Sequence, residues 1–288
     1  MERFFLELES PAAVMASWPH VVVVGGGFAG LKVCHALARQ PVRVTLIDKR
    51  NFNLFQPLLY QVASGLVSEA DVASPLRQMV GVAPNIQILL GEVVDIDPKA
   101  SEVVLNGQHL GYDQLILATG SGSTYFGREE WRSLAPPMKI LEHADEIRRR
   151  LLMALEEAEQ TRDPSQRSFL QTVVVVGAGP AGCELAGSLI ELMHRAVQRD
   201  FKQLRIEDCR VVLVDPVDRG CYPPWRRYSP RPQPPTCGPP GLTCAWASRW
   251  KGSPRGASAS VVRPARSSWR RPQSAGLPGC GPLGWAAC

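Results

Sequence analysis

Twice in this chain a run of four valines leads straight into three glycines spaced Gly-x-Gly-x-x-Gly and then into an apolar helix pattern. The first copy is HVVVVGGGFAGLKVCHALA from His20, and the second is TVVVVGAGPAGCELAG from Thr172. Unbroken apolar runs of this kind suit parallel strands covered on both faces. In the first copy Gly25 permits a tight strand-to-helix turn and Gly27 lets a diphosphate approach the backbone. Gly30 allows the helix to pack closely on the strand. The start of the helix, at Phe28 and Ala29, then offers unpaired N–H groups and the positive end of a dipole to an anion. Val42 to Ile47 alternates into a second strand that ends in Asp48, 18 residues after Gly30 and followed by Lys49. An acid there is placed to accept hydrogen bonds from a ribose diol.

The second copy repeats each part. Gly177, Gly179 and Gly182 form the turn, Pro180 opens the helix, and Val211 to Val214 forms a strand ending in Asp215. The interval from Gly182 to Asp215 is longer, which predicts a lengthened helix followed by a DFKQLRIEDC loop. One glycine motif alone is weak. Two complete strand, turn, helix, strand and acid units predict an α/β fold with two Rossmann-like dinucleotide-binding units. Between them LGYDQLILATGSG reads as another buried strand closed by Thr119 and Gly120. The stretch MKILEHADEIRRRLLMALEEAEQ reads as a long amphipathic helix with Arg148 to Arg150 on a solvated face.

Composition divides the chain near residue 219. Residues 1–218 hold 21 basic and 27 acidic side chains, whereas the remainder holds 11 basic and none acidic. From Gly220 onward there is no Asp, Glu, Ile, Phe, Met, Asn or His, and 13 of the 25 prolines and five of the seven tryptophans lie there. So many prolines predict an irregular, disordered tail. Two accounts stay open, a genuine basic tail and a frame shift in a GC-rich gene, the latter because codons permitted for Gly220 to Trp225 spell Val-Leu-Pro-Thr-Met in the neighbouring frame. Cys34, Cys183 and Cys209, scattered through the body, read as buried small hydrophobes in a reducing compartment. No run of 18 apolar residues encodes a membrane span, and the acidic N-terminus is unlike a signal peptide, so a cytoplasmic location is expected. No metal-binding cluster is expected.

These residues resemble the type II NADH:quinone dehydrogenases of the pyridine nucleotide-disulphide oxidoreductase superfamily, over residues 20–219. GGGFAGL, DKRNFNLFQPLLYQVASG, the ATG and GAGPAGCELAG carry the likeness. The resemblance implies FAD at Gly25, Gly27, Phe28, Ala29, Gly30, Asp48, Lys49, Thr119 and Gly120. It implies NADH at Gly177, Gly179, Pro180, Gly182 and Asp215, with Glu184 near the nicotinamide. Pro57, Leu58, Tyr60 and Gln61 match a run beside the flavin, with Gln61 facing the isoalloxazine or the quinone path. Disulphide reductases of this fold carry a redox cysteine pair in the corresponding stretch, and Asn51 to Gly65 contains no cysteine. Electrons therefore do not pass to a protein dithiol there, and the resemblance implies a quinone as acceptor, in a non-proton-pumping reaction.

The expected layout is an extension at 1–17, an FAD unit at 18–135, a connecting helix and linker at 136–169, the start of an NAD unit at 170–218 and a tail at 219–288. The resemblance also implies later segments that complete both sites and dock to a membrane surface, and these are not in the sequence. Weak FAD binding and impaired turnover are expected, and a homodimer is compatible. Two other readings stay open: a ferredoxin- or carotenoid-linked flavin enzyme on the same scaffold, and a non-catalytic dinucleotide-binding remnant whose basic tail contacts nucleic acid.

Overall fold

The computed structural model describes residues 15–125, 127–215, 241–246 and 285–287. Residues 1–14 of the expected N-terminal extension and most of the tail lie outside them. Two compact units result: Met1–Phe55 with Ala70–Ser121, and Gln56–Glu69 with Gly122–Cys288.

The first unit is built on β1 (His20–Val24), followed by α1 (Phe28–Leu37) and β2 (Arg43–Asp48). A short antiparallel pair, β3 (Phe52–Leu54) and β4 (Ala73–Pro75), precedes β5 (Ile86–Leu90). An antiparallel three-stranded sheet follows, made of β6 (Val93–Asp97), β7 (Glu102–Leu105) and β8 (Gln108–Gly111). The unit ends with β9 (Gln114–Leu117). Strands β5, β2, β1 and β9 lie side by side, all parallel.

Alternation along β1 explains why the valine run is unbroken. Val21 and Val23 point into one core with Leu31, Cys34, Leu46 and Ile88. Val22 and Val24 point into another with Ile47, Val103 and Leu105, roofed by the antiparallel sheet. Each side chain buried in this way contributes about 1.5–3 kcal/mol. The turn leaving α1 is held by one residue. The Asn85 amide donates to the carbonyls of Leu37, Gln40 and Val42 at 2.9, 3.2 and 3.0 Å, and its oxygen accepts from Arg39 N–H.

At the foot of the sheet His20 is buried with its Nε2 2.8 Å from Thr45 Oγ1. Burial, reinforced by the nearby Arg43 charge, holds the imidazole below its ordinary value, outweighing the Gly111 carbonyl and Asp113. His143 and His194 are likewise lowered, first by burial. Because these folded-state values are depressed, the unfolded chain takes up protons first as pH falls. Stability is therefore expected to be flat above about pH 6.5 and to fall below it, until each folded-state imidazole titrates. Denaturant unfolding of wild type and His20→Gln across that range checks this. The variant should lose part of the acid-side slope, and an unchanged slope would exclude His20 as a contributor.

The second unit contains α2 (Leu59–Ala63), α3 (Leu141–Gln160) and α4 (Pro164–Leu170), then β10 (Thr172–Val176), α5 (Pro180–Asp200) and β11 (Arg210–Asp215). The lengthened helix is α5, and the loop after it closes through a 3-10 turn at Ile206–Asp208. Two segments of the expected irregular tail are strands, which corrects that expectation for these residues. They are β12 (Leu242–Trp246), parallel to β11, and β13 (Trp285–Ala287), parallel to β10. Neither contains proline, and the ladder edges of β10 and β11 supply backbone partners for them.

Arg148 to Arg150 also depart from a purely solvated face. Arg149 is exposed and pairs with Glu146, whereas Arg150 bonds Glu146 and the carbonyls of Ser133 and Leu134. Arg148 lies over Gly65, where a Cβ would collide with its guanidinium. Gly65 has φ +67°, in the left-handed region. Gly65→Ala is therefore expected to cost about 1–3 kcal/mol, combining backbone strain with displacement of Arg148. A thermal melt measures this, and a change under about 0.5 kcal/mol would show that Arg148 yields freely.

Candidate functional site

The two glycine turns are the same structure built twice. Gly25 N–H donates to Ile47 O at 2.8 Å, and Gly177 N–H donates to Val214 O at 2.8 Å. Their φ angles are +108° and +105°, which strongly favour glycine. Helices α1 and α5 start from Gly27 and Gly179, and neither has a capping side chain or an acid in its first turn. The first intrahelical bonds are Leu31 N–H to Gly27 O and Cys183 N–H to Gly179 O. The backbone N–H groups of Phe28, Ala29 and Gly30 therefore have no acceptor among the described residues, and the same holds for Ala181 and Gly182.

Each turn is locked to the acid that ends the neighbouring strand. Asp48 Oδ2 accepts from Gly26 N–H at 2.6 Å, and Asp215 Oδ2 accepts from Ala178 N–H at 2.8 Å. The acid thus stands beside the mouth of the helix, as the spacing predicts. A Cβ at Gly30 would strike the Gly25 carbonyl, and one at Gly25 would strike the Ala118 carbonyl. By contrast, a Cβ at Gly27 or Gly179 meets no atom within 4 Å. Gly25 and Gly30 are thus required by internal packing, whereas Gly27 and Gly179 keep open the space in front of unpaired N–H donors. A diphosphate fits that space, in chemistry and in position.

The first unit brings Gly25, Gly27, Phe28, Ala29, Gly30 and Asp48 together, with Thr119 and Gly120 following Ala118 against Gly25. Lys49 extends to the surface and pairs with Glu92 at 3.2 Å. The second unit gathers Gly177, Gly179, Pro180, Gly182 and Asp215. Glu184 lies further along α5 and is exposed. Gln61 lies on α2, which packs against both α3 and α5. Its side-chain amide donates to the Tyr60 hydroxyl at 3.0 Å.

Sequence reading missed Asn53, buried on β3, whose amide donates to Gly26 O at 3.0 Å and so fastens the segment after Asp48 to the turn. A polar residue flanked by Phe52 and Leu54 was the available signal. Phe28 and Phe55 meet edge to face at 5.7 Å and stay half exposed beside the same turn.

Cys34, Cys183 and Cys209 are buried, as expected, and Cys183 Sγ donates to Ala178 O at 3.5 Å. Burial pushes the Cys34 thiol up to about 11 and raises that of Cys209, so neither offers a thiolate. Among the described residues no group of His, Cys, Asp and Glu is arranged to hold a metal ion. No described helix is long and apolar enough to cross a membrane.

Two dinucleotide-type turns, each beside the acid of the next strand, define a class of chain built around two nucleotide sites. The chain belongs to the pyridine nucleotide-disulphide oxidoreductase family, which it matches over residues 19–224 and whose members bind FAD and NADH. It is 44% identical over 199 residues to the type II NADH:quinone oxidoreductase NdhA of Mycobacterium tuberculosis, covering 68% of this chain and 42% of that protein. To the type II NADH:quinone oxidoreductase Ndh of the same organism it is 40% identical over 211 residues, covering 72% and 46%. NDH2 from Plasmodium falciparum, solved in complex with NADH, shares the fold, with a TM-score of 0.64 at 23% identity over 69% of this chain and 42% of that one. The chain spans less than half the length of these relatives.

Proposed function

We propose that the chain is a FAD-dependent, non-proton-pumping oxidoreductase that takes NADH as donor and a quinone as acceptor. The observation that carries this is the duplicated turn, each copy with unpaired helix N–H groups, an open glycine face and a locked acid. The similarity to type II NADH:quinone oxidoreductases selects this reading within the family. FAD held there would supply the redox chemistry, relaying the reducing equivalents of NADH, with protons from solvent, to the quinone.

The protein's part is binding and orientation. Phe28, Ala29 and Gly30 N–H groups hold the FAD diphosphate, and Asp48 accepts from the adenosine ribose. Thr119 and Gly120, with φ +72° at Gly120, bring backbone close to the same cofactor. Ala181 and Gly182 N–H groups hold the NADH diphosphate. Asp215 accepts from its ribose and disfavours a 2′-phosphate. Glu184 lies toward the nicotinamide and Gln61 toward the isoalloxazine or quinone. The buried thiols of Cys34 and Cys209 take no part.

Flavin retention is weak and turnover slow in the chain as given. Strand β9, which leads into Thr119 and Gly120, is an edge strand of its sheet among the described residues, and its Leu117 is 59% exposed. The visible spectrum of the purified chain, with NADH:quinone activity at excess FAD, tests both statements. Sub-stoichiometric flavin with low but FAD-dependent activity is expected. Stoichiometric yellow flavin with rapid turnover would refute weak retention. Absence of any flavin uptake at saturating FAD would refute the assignment.

A further inference from the structure

Arg50 follows Asp48 by two residues and is rooted on it, because its backbone N–H donates to Asp48 Oδ1 at 2.7 Å. The other oxygen of that carboxylate holds Gly26 N–H in the first glycine turn. The guanidinium stands over the Phe52 ring, 5.6 Å from its centroid. Its Nε and Nη1 are both buried, and neither has a hydrogen-bond acceptor. Among the described residues it is the only arginine or lysine with buried nitrogens lacking a partner.

A guanidinium does not shed its proton, so its burial without an acceptor is a standing cost that a fold removes unless something offsets it. The neighbouring side chains are already engaged. Glu92 pairs with Lys49, and each Asp48 oxygen accepts from a backbone N–H group, which leaves the carboxylate room for a further donor but places neither oxygen on Nε or Nη1 of Arg50. No described residue supplies an acceptor for Nε or Nη1, which leaves both free to donate to a bound ligand. A planar fork of donors, held flat by an aromatic ring, matches an oxyanion or a ring nitrogen. Its attachment to the ribose-binding acid sets it on the nucleotide side of the turn.

We propose that Arg50 is a cofactor-holding residue whose Nε–H and Nη1–H donate to the adenosine diphosphate half of the dinucleotide bound at the first turn. The inference rests on the flavin reading of that turn and adds to it the residue that fixes the nucleotide half.

Arg50→Met and Arg50→Lys, made in the full chain, test it through apo melting temperature, FAD affinity by flavin fluorescence and displacement of bound FAD by ADP. Reading ADP through displaced FAD confines the measurement to the first turn. Arg50→Met should not lower the apo melting temperature, since it removes an uncompensated buried charge. It should weaken FAD by about 10–100-fold and raise the ADP inhibition constant by the same factor, with Arg50→Lys intermediate. A lowered apo melting temperature with unchanged FAD affinity would make Arg50 a structural residue and overturn the proposal. Weakened FAD with an unchanged ADP constant would overturn the assignment to the nucleotide half. If wild type takes up FAD and Arg50→Met matches it, this inference alone fails. If wild type takes up none, the flavin reading fails with it.

Discussion

Gly27→Ala is expected to leave the apo protein as stable as wild type and to weaken FAD binding by about 10–100-fold, the equivalent of one charge-assisted hydrogen bond of about 1.5–3 kcal/mol. The backbone at Gly27, with φ −76°, accepts alanine without strain, and the added methyl meets no protein atom within 4 Å. What it meets is the ligand, held away from the N–H groups of Phe28 to Gly30. Gly30→Ala should behave in the opposite order. Its methyl strikes the Gly25 carbonyl, so α1 must move off β1 at a cost of about 1–3 kcal/mol. At about 2–4 °C per kcal/mol, the melt shifts before any ligand is added. A thermal melt and an FAD titration on both variants separate packing from binding. Full FAD affinity in Gly27→Ala would mean that the first turn carries no diphosphate.

The turns were legible because their constraints are local and periodic. Valine runs, glycine spacing and a terminal acid all fall within one stretch of chain, and the observed bonds at Gly25, Gly177, Asp48 and Asp215 follow from them. What escaped reading depends on partners distant in sequence. Asn85 looks like an ordinary loop residue, and only the fold brings it to three carbonyls more than 40 positions earlier. Lys49 and Arg50 are both cations following the strand-end acid, and nothing in their order tells which one turns outward to Glu92 and which lies half-buried over Phe52. Arg148 looked solvated because its helix face is otherwise charged, yet the missing side chain at Gly65 makes room for it. In the tail, proline density obscured the proline-free Leu242–Trp246, whose backbone completes a parallel ladder.

The second large effect concerns the nicotinamide nucleotide proposed for the other turn. Asp215 holds Ala178 N–H through Oδ2, and asparagine keeps an oxygen able to accept that bond while removing the charge. A carboxylate about 6 Å from a 2′-phosphate repels it by roughly 3 kcal/mol per unit charge at an effective dielectric near 20. Screening at this half-exposed position lowers that to about 1.5–3 kcal/mol. Asp215→Asn is therefore expected to shift the ratio of NADPH to NADH affinity by about 10–100-fold toward NADPH, partly through weaker NADH. Calorimetric titration of both nucleotides measures the ratio without requiring turnover. Asp48→Asn supplies the control: it alters the twin lock on the first turn and should weaken FAD while leaving the NADPH to NADH ratio where it was. An unchanged ratio in Asp215→Asn would place the nicotinamide nucleotide away from β11, and a shift in Asp48→Asn instead would exchange the assignments of the two turns.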